Sequence, residues 1–554
     1  MPKTYNFYKE KKHRDFRDIV ASCAAQYGSK TAFEVREDDG SIRKVSYNEF
    51  KELFYGLCTK FIDMGFLGKR IAVTGKNCLE WALSYICAAT VGVVVPIDKE
   101  LQSEDVNDFL ESADCCAVVS DGERLENLKK VVTRSIEYID FKNLRKMAAS
   151  SVPADYKKVD EIEIGKDEMR ILIFTSGTTG NSKGVCLSQN NICSNIYQTV
   201  QMFRVYDTDK VLSILPLHHT YECTLDFLLV FSKGCCISYC DGLTKVAKNM
   251  AEYSPSILVV VPALLKVLSK RIKKSVADGV PAKYKEAFET ESLASAMKKL
   301  PWILRKIVCA KVRKTLGGKL RVFIVGAAEL DTSLVEDFAA LGIRTLQGYG
   351  LTECSPLLAG NSDFYLNPAS TGKAIPGVEL KIDNPNEEGV GEILARGDNI
   401  MLGYFNDEEA TKSVMRDGWF CTGDLGMIDE EGDLFIKGRS KNVIVTENGK
   451  NIYPEELETR LSQYPEIGEV LVLSSEENGE TAVKAKIFPN LDYLKEKLGR
   501  RPKDEEVEKA VQGAVKEVNK KIPGYKRIKI VEVLSNALEK TTTQKIKRFG
   551  KNVK

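Results

Sequence analysis

The sequence predicts an α/β protein: a large N-terminal domain with parallel-type sheets flanked by helices, plus a small β subdomain, followed by a small α+β C-terminal domain. Three observations predict it. Short apolar runs of strand length alternate with helix-periodic segments over the first two thirds of the chain. Near Gly377 the texture changes to brief alternating strands broken by turn signals. Beyond Arg439 a shorter, strongly charged unit begins. At 554 residues the chain is long enough for several domains.

The strand-like runs are Ile71–Thr74, Val93–Ile97, Ala117–Ser120, Val211–Leu215, Ile257–Val261, Val322–Val325 and Arg344–Gln347. Helical spacing occupies Tyr47–Gly65 and Glu104–Ser112. Val378–Ile382, Gly391–Ala395 and Leu434–Lys437, separated by Asn384-Pro385 and Glu431-Gly432-Asp433, read as an antiparallel β subdomain over 377–438. The large domain then runs over 1–438 and the small one over 443–554. The latter has a helix over Pro454–Gln463, strands near Glu469–Leu473 and Ala482–Phe488, and a charged helix around Lys503–Lys521.

Composition narrows the function classes. A formal net charge of +2 gives no argument for nucleic-acid binding. Fifteen cysteines without a CxxC spacing, and only three histidines, fit reduced thiols and speak against a zinc site. The segment Met1–Asp15 is polar, without the apolar core of a secretory signal. The most apolar stretch, Trp81–Ile97, is interrupted by Gly92 and Pro96, and reads as a buried helix and strand rather than a membrane span. The expected location is cytoplasmic, with peripheral contact to the inner membrane face left open. Two regions keep that alternative alive. One is the Lys- and Arg-rich helical stretch Leu268–Lys319, either an insertion packed on the core or an amphipathic membrane-touching face. The other is the basic region after Arg501, either a solvated face or a surface for phosphates or lipid.

The sharpest motif is Thr175-Ser176-Gly177-Thr178-Thr179-Gly180-Asn181-Ser182-Lys183-Gly184, directly after the strand-like Arg170–Phe174. Glycines and hydroxyls this dense make a loop rich in N–H and O–H donors that can wrap phosphate oxygens, with Lys183 adding a positive charge. It is not the common GxxxxGK[ST] loop, because Ser182 precedes the lysine and Gly184 follows it.

The loop resembles the signature of the acyl-adenylate-forming (AMP-binding) superfamily, and later segments match in that family's order from Thr31 to Arg548. In overall look the chain is closest to long-chain fatty acyl-CoA synthetases. The resemblance implies ATP, Mg2+ and coenzyme A as cofactors. Gln347-Gly348-Tyr349-Gly350-Leu351-Thr352-Glu353 resembles the YGxTE motif. By that resemblance Tyr349 packs against adenine, with Gly348 and Gly350 as cofactor-binding candidates on either side, Thr352 contacts the α-phosphate region and Glu353 holds Mg2+. Gly326-Ala327-Ala328 resembles the ledge beside adenine, although its small residues equally permit tight packing. Asp424 matches the acceptor of the ribose hydroxyls and Arg439 a ribose or phosphate contact. Lys441, within 439–442, matches the hinge of a mobile C-terminal domain, with Asn442 where the family more often has Asp. Lys545, in Thr541-Thr542-Thr543-Gln544-Lys545, matches the lysine that contacts the reacting carboxylate and α-phosphate. Gly449 resembles a residue lining the pantetheine tunnel, and a plain turn glycine serves equally well.

Leu215-Pro216-Leu217-His218-His219-Thr220-Tyr221-Glu222 resembles the border of the acyl pocket in fatty acyl-CoA synthetases, with His219 as candidate gate. No FDxS-like motif for an amino group is present, which favours an acid without an α-amine. The implied reaction is activation of a medium- or long-chain fatty acid to acyl-AMP, then transfer to CoA. Two alternatives stand beside it: an acyl-AMP ligase loading a separate acyl carrier protein, and a non-catalytic nucleotide or acyl binder.

Overall fold

The computed structural model describes residues 5–176, 182–446, 450–477, 480–540, 546–548 and 550–553. The chain divides into two compact units. Among the described residues the first takes in 5–176, 182–379 and 395–420, and the second 380–394 and 421–553.

The first unit is built on two sheets. The larger has nine strands in the order Lys373–Ala374, Leu357–Gly360, Arg344–Gly350, Val322–Val325, Ile257–Val260, Lys210–Ser213, Cys236–Tyr239, Thr31–Arg36 and Ile42–Ser46. Its central strands, from Arg344–Gly350 to Thr31–Arg36, are parallel, and antiparallel pairs finish both edges. The smaller has seven strands: Gly403–Tyr404, Ser182–Ser188, Met169–Ser176, Val93–Pro96, Arg70–Val73, Cys115–Ser120 and Glu137–Asp140. Each strand expected from an apolar run is present, within a few residues of its expected ends.

The reason these runs become parallel strands is burial on both faces. Ile257–Val260 and Val93–Pro96 are buried at every position, a pattern an amphipathic strand cannot show. The helix Leu79–Val91 is buried on all sides and leads through Gly92 into Val93–Pro96, as expected for Trp81–Ile97. No described helix is long and apolar enough to cross a membrane. The helix Tyr47–Asp63 is amphipathic instead, and starts at Ser46, whose hydroxyl accepts from the Glu49 N–H.

The stretch expected as a helical insertion forms four helices: Pro262–Gly279, Ala282–Thr290, Leu293–Lys299 and Trp302–Thr315. Leu265, Leu268, Ile272, Phe288, Met297 and Val312 pack with Phe323 and Phe338 in one apolar core. The insertion is therefore integral to the first unit.

Leu434–Arg439 and the larger parts of Glu379–Asp383, Gly391–Arg396 and Trp419–Ile428 fall in the second unit and build a β sheet. A three-stranded sheet of Ile467–Glu477, Glu480–Pro489 and Ile528–Val533 is packed by the helices Pro454–Ser462 and Asp504–Lys520. Leu457, Leu461, Val472, Ile487, Val511 and Val515 form its core.

Candidate active site

Ligands of parallel α/β sheets bind beyond the carboxyl ends of the strands, where helix starts and loops leave the backbone and side chains accessible. The first unit places most of its candidate residues there. Ile214–Tyr221 follows Lys210–Ser213, Gly326-Ala327-Ala328 follows Val322–Val325, and Leu351-Thr352-Glu353 follows Arg344–Gly350. These strands all run parallel, so the three segments emerge at one edge of the sheet.

The described ends of the phosphate-loop motif lie on two paired strands. Met169–Ser176 pairs antiparallel with Ser182–Ser188, with Thr175 opposite Lys183 and Ser176 opposite Ser182. The Thr175 hydroxyl donates to the Lys183 carbonyl at 3.4 Å. Gly184 is explained by packing: a Cβ there would lie 2.9 Å from Leu172 and 3.0 Å from the Phe405 Cβ. Gly177, Thr178, Thr179 and Gly180, together with the side chain of Ser176, lie outside the described residues.

Three segments far apart in sequence then converge. The Lys183 ammonium lies 4.5 Å from the centre of the Tyr404 ring, a cation–π contact. The Tyr404 hydroxyl donates to Glu353 Oε1 at 3.0 Å. The backbone is tied as well, since the Met401 N–H donates to the Glu353 carbonyl at 2.7 Å. Tyr404 sits on the edge strand Gly403–Tyr404, which pairs with Val185 and Cys186 of the hairpin. A cation and a carboxylate are thus held on the two ends of one tyrosine. Tyr404 was not anticipated from the sequence. Its only signal is an aromatic pair after a glycine, Gly403-Tyr404-Phe405.

Thr352 is reached from the histidine segment: the Thr220 hydroxyl donates to the Thr352 hydroxyl at 3.3 Å. That segment is held from below. Asn77 Nδ2 donates to the Leu215 carbonyl at 2.7 Å, and its Oδ1 accepts from the Leu217 N–H at 3.1 Å. The buried Glu222 carboxyl accepts from the Ser213 hydroxyl and from the N–H groups of Ile214 and Leu215. Burial, with Asp226 close by, pushes the Glu222 carboxyl well above the usual range, and burial pushes Asp226 up to about 7. His218 is buried and His219 half-buried, their rings 4.0 Å apart. Burial drives the His218 pKa down to about 3, with Lys99 adding to the effect, so it is a neutral imidazole although Asp98 Oδ2 lies 3.6 Å away.

The glycines of two motifs have packing reasons. A Cβ on Gly350 would fall 1.8 Å from the Pro356 carbonyl oxygen, and one on Gly348 would lie 2.7 Å from Leu357. At Gly326 it would press within 3.0 Å of the Tyr221 ring. Tyr221 in turn donates to the carbonyls of Val260 and Ile324, fastening the histidine segment to the strand ends. Ala327, next in line, has φ of 71°, a left-handed conformation that costs a non-glycine residue roughly 1–2 kcal/mol. Tyr349 is half-buried on its strand, opposite Ala359.

In the second unit Asp424 and Arg439 face one another across the hairpin of Trp419–Ile428 and Leu434–Arg439. Arg439 Nε meets Asp424 Oδ1 at 2.7 Å, with the aspartate side chain 7% and the arginine 39% exposed. An Arg439 Nη also donates to the Thr422 carbonyl at 3.3 Å, and the Asp424 N–H to the Thr422 hydroxyl at 3.1 Å. Lys441 is exposed in the short turn Ser440–Asn442, and Asn442 donates to Glu455 at 2.6 Å. Gly449 and Lys545 lie outside the described residues.

Comparison with known proteins decides the family. Residues 20–405 match the model of the AMP-binding enzyme family, well over half of the chain. The chain belongs to the AMP-binding enzymes. Residues 441–550 match that family's C-terminal domain. A long-chain-fatty-acid–CoA ligase of Mycobacterium bovis is 27% identical over 435 residues, covering 73% of this chain and 71% of that protein. Fatty acyl-CoA synthetase B of Dictyostelium discoideum is 27% identical over 547 residues, covering 89% and 79%. Among solved structures, ATP-bound MatB from Rhodopseudomonas palustris aligns with a TM-score of 0.75 at 24% identity, over 97% of this chain and 98% of that one. The last likeness concerns the fold.

Proposed function

We propose that this AMP-binding enzyme is an acid–thiol ligase that converts a medium- or long-chain fatty acid to its acyl-CoA through an acyl-adenylate. The observation that supports it most is the convergence of Lys183, Tyr404 and Glu353, which sets a cation and a carboxylate at the root of the phosphate-loop hairpin. The names of the curated relatives support the fatty-acid substrate.

In the first half-reaction a carboxylate oxygen of the acid attacks the α-phosphorus of ATP. The bond from that phosphorus to the bridging oxygen breaks, and pyrophosphate leaves. Attacker and target are both anionic, so donors and cations fixed in advance lower the barrier. Lys183 and the N–H and O–H donors of Thr175–Gly180 are proposed to hold the β- and γ-phosphates, and Thr352 the α-phosphate region. Lys545 would meet the developing charge. Glu353 would hold Mg2+, which would supply positive charge at the leaving pyrophosphate. A single half-buried carboxylate suits that ion, which rarely uses an all-protein cage. Tyr349 and Gly326-Ala327-Ala328 are proposed to border adenine, and Asp424 and Arg439 the ribose. In the second half-reaction the CoA sulfur attacks the acyl carbon and AMP leaves. Lys441 is the proposed hinge between the two half-reactions, Gly449 would line the pantetheine path, and His219 would stand at the acyl entrance.

The test is pyrophosphate release from Mg-ATP across acids from acetate to oleate, with and without CoA. Release rising with chain length, together with an acyl-CoA product, is the expected result. Release without any CoA product would move the acceptor to an acyl carrier protein. Silence with every acid, alongside tight ATP binding, would leave a non-catalytic binder.

A further inference from the structure

The insertion of four helices has two apolar faces, and the fold uses one of them. Along Trp302–Thr315, Val312 is buried and Leu304, Val308 and Cys309 pack against the core. On the opposite face Trp302, Ile303 and Ile307 are 64%, 55% and 57% exposed. Their spacing puts Ile303, Ile307 and Lys311 in one helical row, and Trp302, Lys306, Ala310 and Lys314 in the adjacent one. All seven are exposed, so the helix shows solvent an apolar first turn that grades into a cationic end.

Isolated exposed apolar residues are ordinary, but a tryptophan and two isoleucines adjoining on one helix make a patch. Its surroundings are strongly cationic. Residues 262–319 contain fifteen Lys and Arg against four Asp and Glu, whereas the whole chain has 80 against 78. The rest of the chain taken together is therefore net acidic, so this insertion is one of two concentrations of positive charge, the other being the basic region after Arg501. Beside the patch, Arg271, Lys274 and Lys311 line an open depression of about 440 Å³ whose one carboxylate is Asp278. The Lys306 ammonium lies 4.6 Å from the centre of the Trp302 ring, so the cation already rides over the apolar body of its neighbour.

The geometry points to the Trp302–Thr315 face as a docking surface for an anionic lipid bilayer. Trp302, Ile303 and Ile307 enter the boundary between headgroups and acyl chains, while Lys306, Lys311, Arg271 and Lys274 meet lipid phosphates and carboxylates. Charge complementarity selects this occupant. A tryptophan beside lysines on an amphipathic helix without a single acidic residue suits an anionic interface. An apolar protein partner would not require the surrounding cations. The inference does not depend on which acid the enzyme activates.

The test uses the full-length protein and phosphatidylcholine vesicles with or without phosphatidylserine. Co-sedimentation is expected with the serine lipid and should weaken as salt is raised. Joint replacement Trp302→Ser, Ile303→Ser and Ile307→Ser should weaken it at least about tenfold. These side chains are exposed, so the thermal midpoint should hold. The pair Lys306→Glu and Lys311→Glu weakens binding independently, should the triple variant fold poorly. Tryptophan emission should shift to the blue with vesicles in the parent and not in Trp302→Phe, because Trp81 is already buried and Trp419, half-buried against Arg396, lies outside this insertion. Absence of binding to phosphatidylserine vesicles overturns the inference, as does binding that both variants retain. A vesicle-independent dimer that the triple variant abolishes would assign the patch to a second copy of the chain and likewise overturn it.

Discussion

At the scale of single residues, Tyr404 links Lys183 and Glu353, the two groups proposed to meet the phosphates and Mg2+. Its ring lies under Lys183 and its hydroxyl fixes one oxygen of Glu353. Tyr404→Phe keeps the ring and deletes the hydrogen bond. The Mg2+ concentration for half-maximal pyrophosphate release should rise about tenfold, the usual cost of losing a support to a metal-holding carboxylate, with the thermal midpoint little changed. Tyr404→Leu removes the cation–π contact as well and should lose more. An unchanged Mg2+ dependence in Tyr404→Phe would remove the tyrosine from the machinery. Glu353 and Lys183 were legible because they sit in long ordered motifs. Tyr404 was not, since its contribution is a contact between segments, and no local spacing encodes which edge strand pairs with the hairpin.

At the scale of elements, the strands were read well because burial on both faces leaves a continuous apolar run, as in Ile257–Val260. The loops were not. The histidine segment was recognised by type, yet its shape comes from Asn77 and Glu222, one reaching it from across the fold. Asn77 follows the strand Arg70–Val73 and satisfies one donor and one acceptor of that segment. Asn77→Ala should destabilise the first unit by about 1–3 kcal/mol, the range for stranding buried backbone groups. The same change should speed hydrogen exchange at the Leu217 amide, which loses its acceptor. Retained protection there would mean that water or another side chain replaces Asn77. The glycines of the motifs proposed to border adenine carry a second requirement that the sequence does not show. Gly350 needs its missing side chain for the Pro356 carbonyl, whatever it does for a ligand.

At the scale of the whole molecule, stability and catalysis give separate predictions. His218 has its pKa lowered from 6.5 to about 3 by burial. The unfolded chain takes up its proton below about 6.5 and the folded chain does not, so the stability His218 permits is full above that pH and falls as pH is lowered toward 3. Glu222 and Asp226 act in the opposite sense, because their raised values favour proton uptake by the folded state. The comparison must therefore be a difference. Between pH 7 and pH 5, His218→Asn should gain roughly 2 kcal/mol relative to the parent in denaturant unfolding. A constant difference would show that His218 titrates normally. For catalysis, Lys545→Ala should slow adenylation by about 10²–10³, the effect of removing one charge that stabilises the transition state. It should spare thioester formation from supplied acyl-AMP. Equal loss in both half-reactions would refute the division of labour proposed for the C-terminal domain.

The hairpin beneath the phosphate-loop motif has a consequence for how its length can change. From Ile171 opposite Leu187 to Ser176 opposite Ser182 the ladder is regular, and Thr175 and Lys183 share one face. Side chains alternate faces along a strand, so a one-residue insertion or deletion between Ser176 and Ser182 that shifts the ladder sends Lys183 to the face away from Tyr404. A change of length that leaves the ladder in register leaves both where they are. Length variation in this segment should therefore be tolerated where the ladder keeps Thr175 opposite Lys183, and should inactivate where the ladder slips by one residue.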